Sequence, residues 1–106
     1  MARSIRVLYN GVQGRVRRNI NWPAISEKSA VVITAAEWKP DGGVFGILSG
    51  RPHLGEANIY VTNVGPHGEG AEAGGVEFHL HVDWGAPLPV IVTITELGEV
   101  EDFFAV

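Results

Sequence analysis

The segment from Val76 to Trp84 reads Val-Glu-Phe-His-Leu-His-Val-Asp-Trp and alternates apolar and ionisable residues without a break. Successive side chains of a strand point to opposite faces, so nine alternating residues predict one strand with two unlike sides. Val76, Phe78, Leu80, Val82 and Trp84 would face a core. Glu77, His79, His81 and Asp83 would line the opposite face. A helix would scatter both sets around its axis, so this pattern commits the region to a sheet.

The rest of the chain follows the same rule. Ile5, Val7 and Tyr9 alternate within Ser4–Tyr9, and Asn10-Gly11 is a turn pair. Val16, Ile20 and Trp22 share a face with Arg18, while Arg15, Arg17, Asn19 and Asn21 share the other. Residues 30–38 are rich in Val, Ile and Thr, and Lys39-Pro40-Asp41-Gly42-Gly43 is a turn signal. A short return strand is expected over Val44–Leu48, with Trp38 and Phe45 meeting across the hairpin. Ser49–Ala57 reads as loop, 58–64 and 90–97 as strands, and Gly65–Gly75 as a long glycine-rich connection. No stretch sustains a helical period. The expectation is one all-β domain over 1–106, an antiparallel β-sandwich of seven to eight short strands, with a small β-barrel as the alternative.

Charge is sorted along the chain. All eight Lys and Arg lie between Arg3 and Arg51. Residues 1–53 balance at +5 and residues 54–106 at −9, for a net charge of −4. Such sorting bears on association more than on fold. Two complementary ends would join copies of the chain. The terminal Phe103-Phe104-Ala105-Val106, directly after an acidic run, is expected to dock on this domain or on a neighbour. Arg15 and Arg17 are expected to meet carboxylates such as Glu77 and Asp83, within the sheet or across a subunit contact.

The ionisable face of the Val76–Trp84 strand carries a second chemistry. His79-x-His81 places two imidazoles on one face, about 6.5–7 Å apart along the backbone. Imidazole suits zinc and other divalent transition metals. Glu77 and Asp83 flank the pair, and His67 in the glycine-rich segment is the nearest third ligand. The His-x-His tripeptide resembles the metal pair of cupins, which are also β proteins. The resemblance covers these three residues, and it implies a divalent metal held on a strand. The glutamate that follows in cupins has no counterpart at the matching distance, since Asp83 comes too soon and Glu96 too late.

Three tryptophans invite a third reading, a lectin-like module that lays an indole against a sugar. Trp22 and Trp84 follow the apolar side of their strands, so core packing is expected for both. Trp38, beside the turn, is expected to be exposed and to bind a carbohydrate.

Several classes are excluded or disfavoured. The chain has no cysteine, which removes disulfides, thiolate nucleophiles and cysteine metal sites. No serine sits in a nucleophile motif, so an enzyme is not the favoured reading. The Arg15-Arg17-Arg18 cluster is too narrow, in an acidic chain, for a nucleic-acid surface. The glycine-rich loop lacks the Lys-Ser/Thr of a phosphate cradle. No apolar run reaches the roughly 18 residues of a membrane span, and no signal-like block follows the start, so the default location is cytoplasmic. The leading expectation is a binding or assembly module that forms a homo-oligomer and needs no cofactor.

Overall fold

The computed structural model describes residues 1–106. Seven strands are present: β1 (Arg3–Val12), β2 (Gly14–Asn21), β3 (Ser29–Pro40), β4 (Gly50–His53), β5 (Asn58–His67), β6 (Gly75–Asp83) and β7 (Leu88–Glu99). They form two antiparallel sheets. Sheet I has the order β1-β7-β3-β4 and sheet II the order β2-β6-β5. The chain is an all-β sandwich, and it is partly closed toward a barrel because β3 also packs against β5. No helix is long and apolar enough to cross a membrane.

The alternation around residue 80 has the predicted consequence. Val76, Phe78, Leu80 and Val82 are 0–1% exposed and face Val90, Val92 and Ile94 from the central strand of the other sheet. Each sheet thus places its most apolar strand in the middle, where both neighbours shield it. Burying one such side chain stabilises the fold by roughly 1.5–3 kcal/mol. Val12 and Ile25 close the two ends of this core. Trp84 breaks the pattern. It lies in the turn after β6 and is 46% exposed, not in the core as expected.

Only Gln13 separates β1 from β2, yet the two strands belong to different sheets. Gly14 makes the switch at φ +70°, a conformation a side chain resists. At the other end of β2, Gly75 passes so close that an added Cβ would come within 2.9 Å of Asn21 Cα and of the His67 ring.

Three segments differ from the expectation. Asn10-Gly11, expected as a turn, lies within β1, where the register with β7 shifts between Tyr9 and Val12. The return strand after Trp38 is Gly50–His53, which the sequence presents as loop. Val44–Leu48 is no strand, and Gly46–Leu48 is a single 3₁₀ turn that Gly46 enters at φ +60°. The cause is local. The Asp41 carboxylate accepts hydrogen bonds from the Gly43 amide at 2.8 Å and the Ser49 hydroxyl at 2.7 Å, which pins the loop across its base. The third difference is at Asn63, where φ of +56° accompanies a bulge between Thr62 and Gly65. That bulge lets β5 continue through Gly65 and Pro66 to His67, so the glycine-rich loop is only residues 68–74.

Strand register sorts the connections to two poles. Val12 opposes Leu88, Pro40 opposes Gly50 and Asn58 opposes Asp83, so the turns after β1, β3, β4 and β6 share one pole. Ser29 opposes Glu99, and Asn21 and His67 both oppose Gly75, so the glycine-rich loop and the C-terminal tail lie at the other. The longest dimension of the molecule is 44 Å.

Candidate functional site

The outer faces of the two sheets have opposite chemistry. On sheet II the register builds three rungs: Asn19/Glu77/Gly65, Arg17/His79/Thr62 and Arg15/His81/Tyr60. Six of these nine residues are ionisable. Arg17 reaches diagonally to Glu77 and donates from both Nε, at 3.0 Å, and a terminal nitrogen. Those hydrogen bonds, and then the guanidinium charge, hold the Glu77 carboxyl below its ordinary value. The expected Arg–carboxylate pairing is therefore made by Arg17 within the chain, and Arg15 forms no ion pair. His81 Nε2 is hydrogen-bonded with the Thr62 hydroxyl at 2.7 Å, and Tyr60 stacks on its ring at 4.4 Å. Desolvation first, and then the charge of Asp83, raise the Tyr60 hydroxyl above its ordinary value.

The third metal ligand does not arrive. His67 Nδ1 donates to the Ala73 carbonyl at 2.8 Å, and Nε2 is hydrogen-bonded with Asn19 at 2.7 Å. Both nitrogens are committed to tying the glycine-rich loop down, and Glu72 accepts the Gly68 amide in the same knot. No three His, Cys, Asp or Glu residues gather closely enough to hold a metal ion. His79 and His81 stand edge to face at 6.4 Å, with one ring nitrogen of His81 already paired. The third-ligand role expected of His67 beside His79 and His81 is thus corrected: the loop histidine is a structural clamp and does not converge with the pair.

Trp38 is corrected too. It is 6% exposed, and its indole N–H donates to the Ile47 carbonyl at 2.6 Å. The loop after the turn folds back over the ring, so Trp38 offers no platform to a sugar. Phe45, expected against it, is 74% exposed. Trp22 is partly buried against the core, with the Arg3 guanidinium 5.9 Å from its ring.

Sheet I carries the contrasting face. Its rungs are Ser4/Thr95/Val32, Arg6/Thr93/Thr34 and Leu8/Ile91/Ala36. Arg6 is the one charged residue among the nine. Its Nε donates to the Thr93 hydroxyl at 3.1 Å, and its terminal nitrogens have no partner. Val32 and Leu97 on the same face are 50% and 52% exposed. At the loop pole this face ends in a groove of about 330 Å³ lined by Arg6, Leu8, Trp38, Leu48, Gly50 and Ile91.

The C-terminal residues dock on nothing within the chain. The Val100 amide donates to the Lys28 carbonyl at 2.8 Å, the last backbone hydrogen bond of the chain. Beyond it, Phe103 and Phe104 are 91% and 83% exposed. Of the two fates expected for these rings, the fold itself does not provide the first. The pale face of sheet I was not singled out in the sequence. Its signal was the alternating small residues of Val32-x-Thr34-x-Ala36 and Thr93-x-Thr95, which look like ordinary solvent-facing positions until the register aligns them.

No family model, curated protein or solved structure matches this chain.

Proposed function

We propose that the chain is a non-enzymatic assembly module that forms a homodimer by stacking the outer face of sheet I on the same face of a second copy. The observation that carries this reading is the single charge among the nine rung residues of that face, in a protein whose opposite face is densely ionisable. An exposed sheet face is normally kept polar and charged, and sheets stack through small and β-branched side chains about 10 Å apart. The charge sorted along the chain is partly paired within the subunit, where Arg17 of the basic half meets Glu77 of the acidic half on sheet II, so assembly is assigned to the weakly charged face of sheet I and not to complementary ends. A two-fold arrangement uses the same patch on both subunits, which a face with one charge per copy permits with little like-charge repulsion.

Analytical ultracentrifugation of the full chain at micromolar concentration tests this reading. The expected species is a dimer. Thr34→Lys, at an exposed position of the central rung, should shift it to monomer without loss of fold by circular dichroism. A wild-type chain that sediments as a monomer between pH 6 and 8 would overturn the proposal.

A further inference from the structure

The C-terminal tail has the chemistry of the groove at the end of sheet I, and the distances prevent it from reaching its own. The groove floor is apolar, made by Leu8, Trp38, Leu48 and Ile91, and its one charge is Arg6 with unpaired terminal nitrogens. The tail presents Glu101 and Asp102 directly before Phe103 and Phe104. The acidic pair matches the guanidinium, and the rings match the floor.

Reach decides which copy is served. Glu99 opposes Ser29 at the tail pole, and Ile91 lies eight residues back along β7, about 27 Å away at roughly 3.4 Å per residue. Phe104 is five residues beyond Glu99, which allows at most about 17 Å. Neither phenylalanine can enter the groove of its own chain. When two sheet I faces stack with their strands antiparallel, the tail pole of one copy lies against the loop pole of the other.

We infer that Glu101–Phe104 of each subunit docks into the Arg6/Leu8/Trp38/Leu48/Ile91 groove of a second copy, so that the dimer exchanges its tails. The inference rests on the face-to-face reading and adds the segment that locks it. Area supports the addition. Strands of 10, 12, 12 and 4 residues, about 4.8 Å apart and rising about 3.4 Å per residue, present roughly 620 Å², whereas a standard stable interface buries about 800 Å² per partner. Two exchanged tails supply the remainder and bury four phenylalanine rings that otherwise stand in water.

The test uses two full-length variants whose changes are at exposed positions: Phe103→Ser/Phe104→Ser in the tail and Leu48→Asp in the groove, Leu48 being 75% exposed. Sedimentation equilibrium should show each variant alone dimerising at least tenfold more weakly than wild type. Their equimolar mixture should recover part of the loss, because a mixed dimer retains one intact tail and one intact groove facing each other. Variants that dimerise as tightly as wild type, or a mixture no tighter than its components, would overturn tail exchange and leave the stacked faces standing. If the wild-type chain is a monomer, a synthetic Glu99–Val106 peptide is titrated onto it by calorimetry. Binding that Leu48→Asp abolishes supports the groove without the dimer, and no binding overturns the inference.

Discussion

The guanidinium carbon of Arg18 lies 5.1 Å from the centre of the Tyr9 ring. This contact joins β1 to β2 where no ladder does, since β1 is hydrogen-bonded to β7 and β2 to β6. Arg18 lies on the inward side of β2 with Val16 and Ile20. Its charge is accommodated there by an aromatic face and by the Arg17 carbonyl at 3.3 Å. Arg3 over Trp22 repeats the device farther along the same seam.

Tyr9 brings a cost to that seam. Its hydroxyl is buried without a hydrogen-bond partner, and burial raises its pKa against the lowering effect of Arg18. Tyr9→Phe keeps the ring under the cation and removes the orphaned group. It should leave stability unchanged or raise it by up to about 1 kcal/mol. Arg18→Ala removes the cation and the packing of its stem, and should lower stability by about 1 kcal/mol. Urea denaturation of both variants checks the opposite signs.

The Arg17–Glu77 pair predicts a pH dependence with a definite direction. The folded-state carboxyl titrates below the ordinary value of a glutamate. Its stabilising contribution is therefore complete above the ordinary carboxylate range and is lost as pH falls through the folded-state value. Arg17→Met should move the Glu77 midpoint, read from its side-chain carbonyl shift by NMR, upward toward that value. The pair is solvent-exposed, so added salt should bring about part of the same shift.

His67 should prove structural. Its ring joins Asn19 on β2 to Ala73 in the glycine-rich loop, and five residues of this loop and its flanks are glycines with no side chains to order them. His67→Ala should cost about 1–2 kcal/mol. It should also raise hydrogen-exchange rates over residues 68–74 while leaving the centre of β6 protected. Added zinc should not change the stability of the wild-type chain, because the three histidines do not converge.

Legibility in the sequence tracked how locally each feature is determined. The inward residues of β6 and the apolar rows of β1 and β7 could be read because period two needs only neighbours in sequence. Trp38 could not. Its row, Thr34-Ala36-Trp38, points away from the main core, and nothing local announces that the loop after Gly43 folds back to cover it. The Asn63 bulge hid for a similar reason: it carried β5 past two positions and through Gly65 and Pro66, which read as the start of a loop. The candidate surface needed more still. Leu8, Ile91 and Ala36 come from three separated strands, and only their cross-strand register makes them neighbours. His79-x-His81, by contrast, was legible as a pair, but the commitment of His67 to Ala73 is a property of the folded loop.

Under the proposed face-to-face assembly, Asp41 links loop order to dimer stability. Its carboxylate holds Gly43 and Ser49, and the loop between them carries Leu48 to the groove and Ile47 to the indole of Trp38. The Ser49 hydrogen bond first, and the Gly43 amide second, lower the Asp41 pKa. The loop should thus stay ordered above the ordinary carboxylate range and loosen as pH drops through the depressed value. Asp41→Ala should imitate that loosening at neutral pH. The Gly43 and Ser49 amides should then exchange faster, and the dimer should dissociate several-fold more readily, while the core strands keep their protection. Asp41→Asn retains a side-chain acceptor and should fall between the two. Faster exchange with undiminished dimerisation would show that the loop does not hold the partner's tail, and the groove would then have to be shaped by Leu8 and Ile91 on the sheet alone.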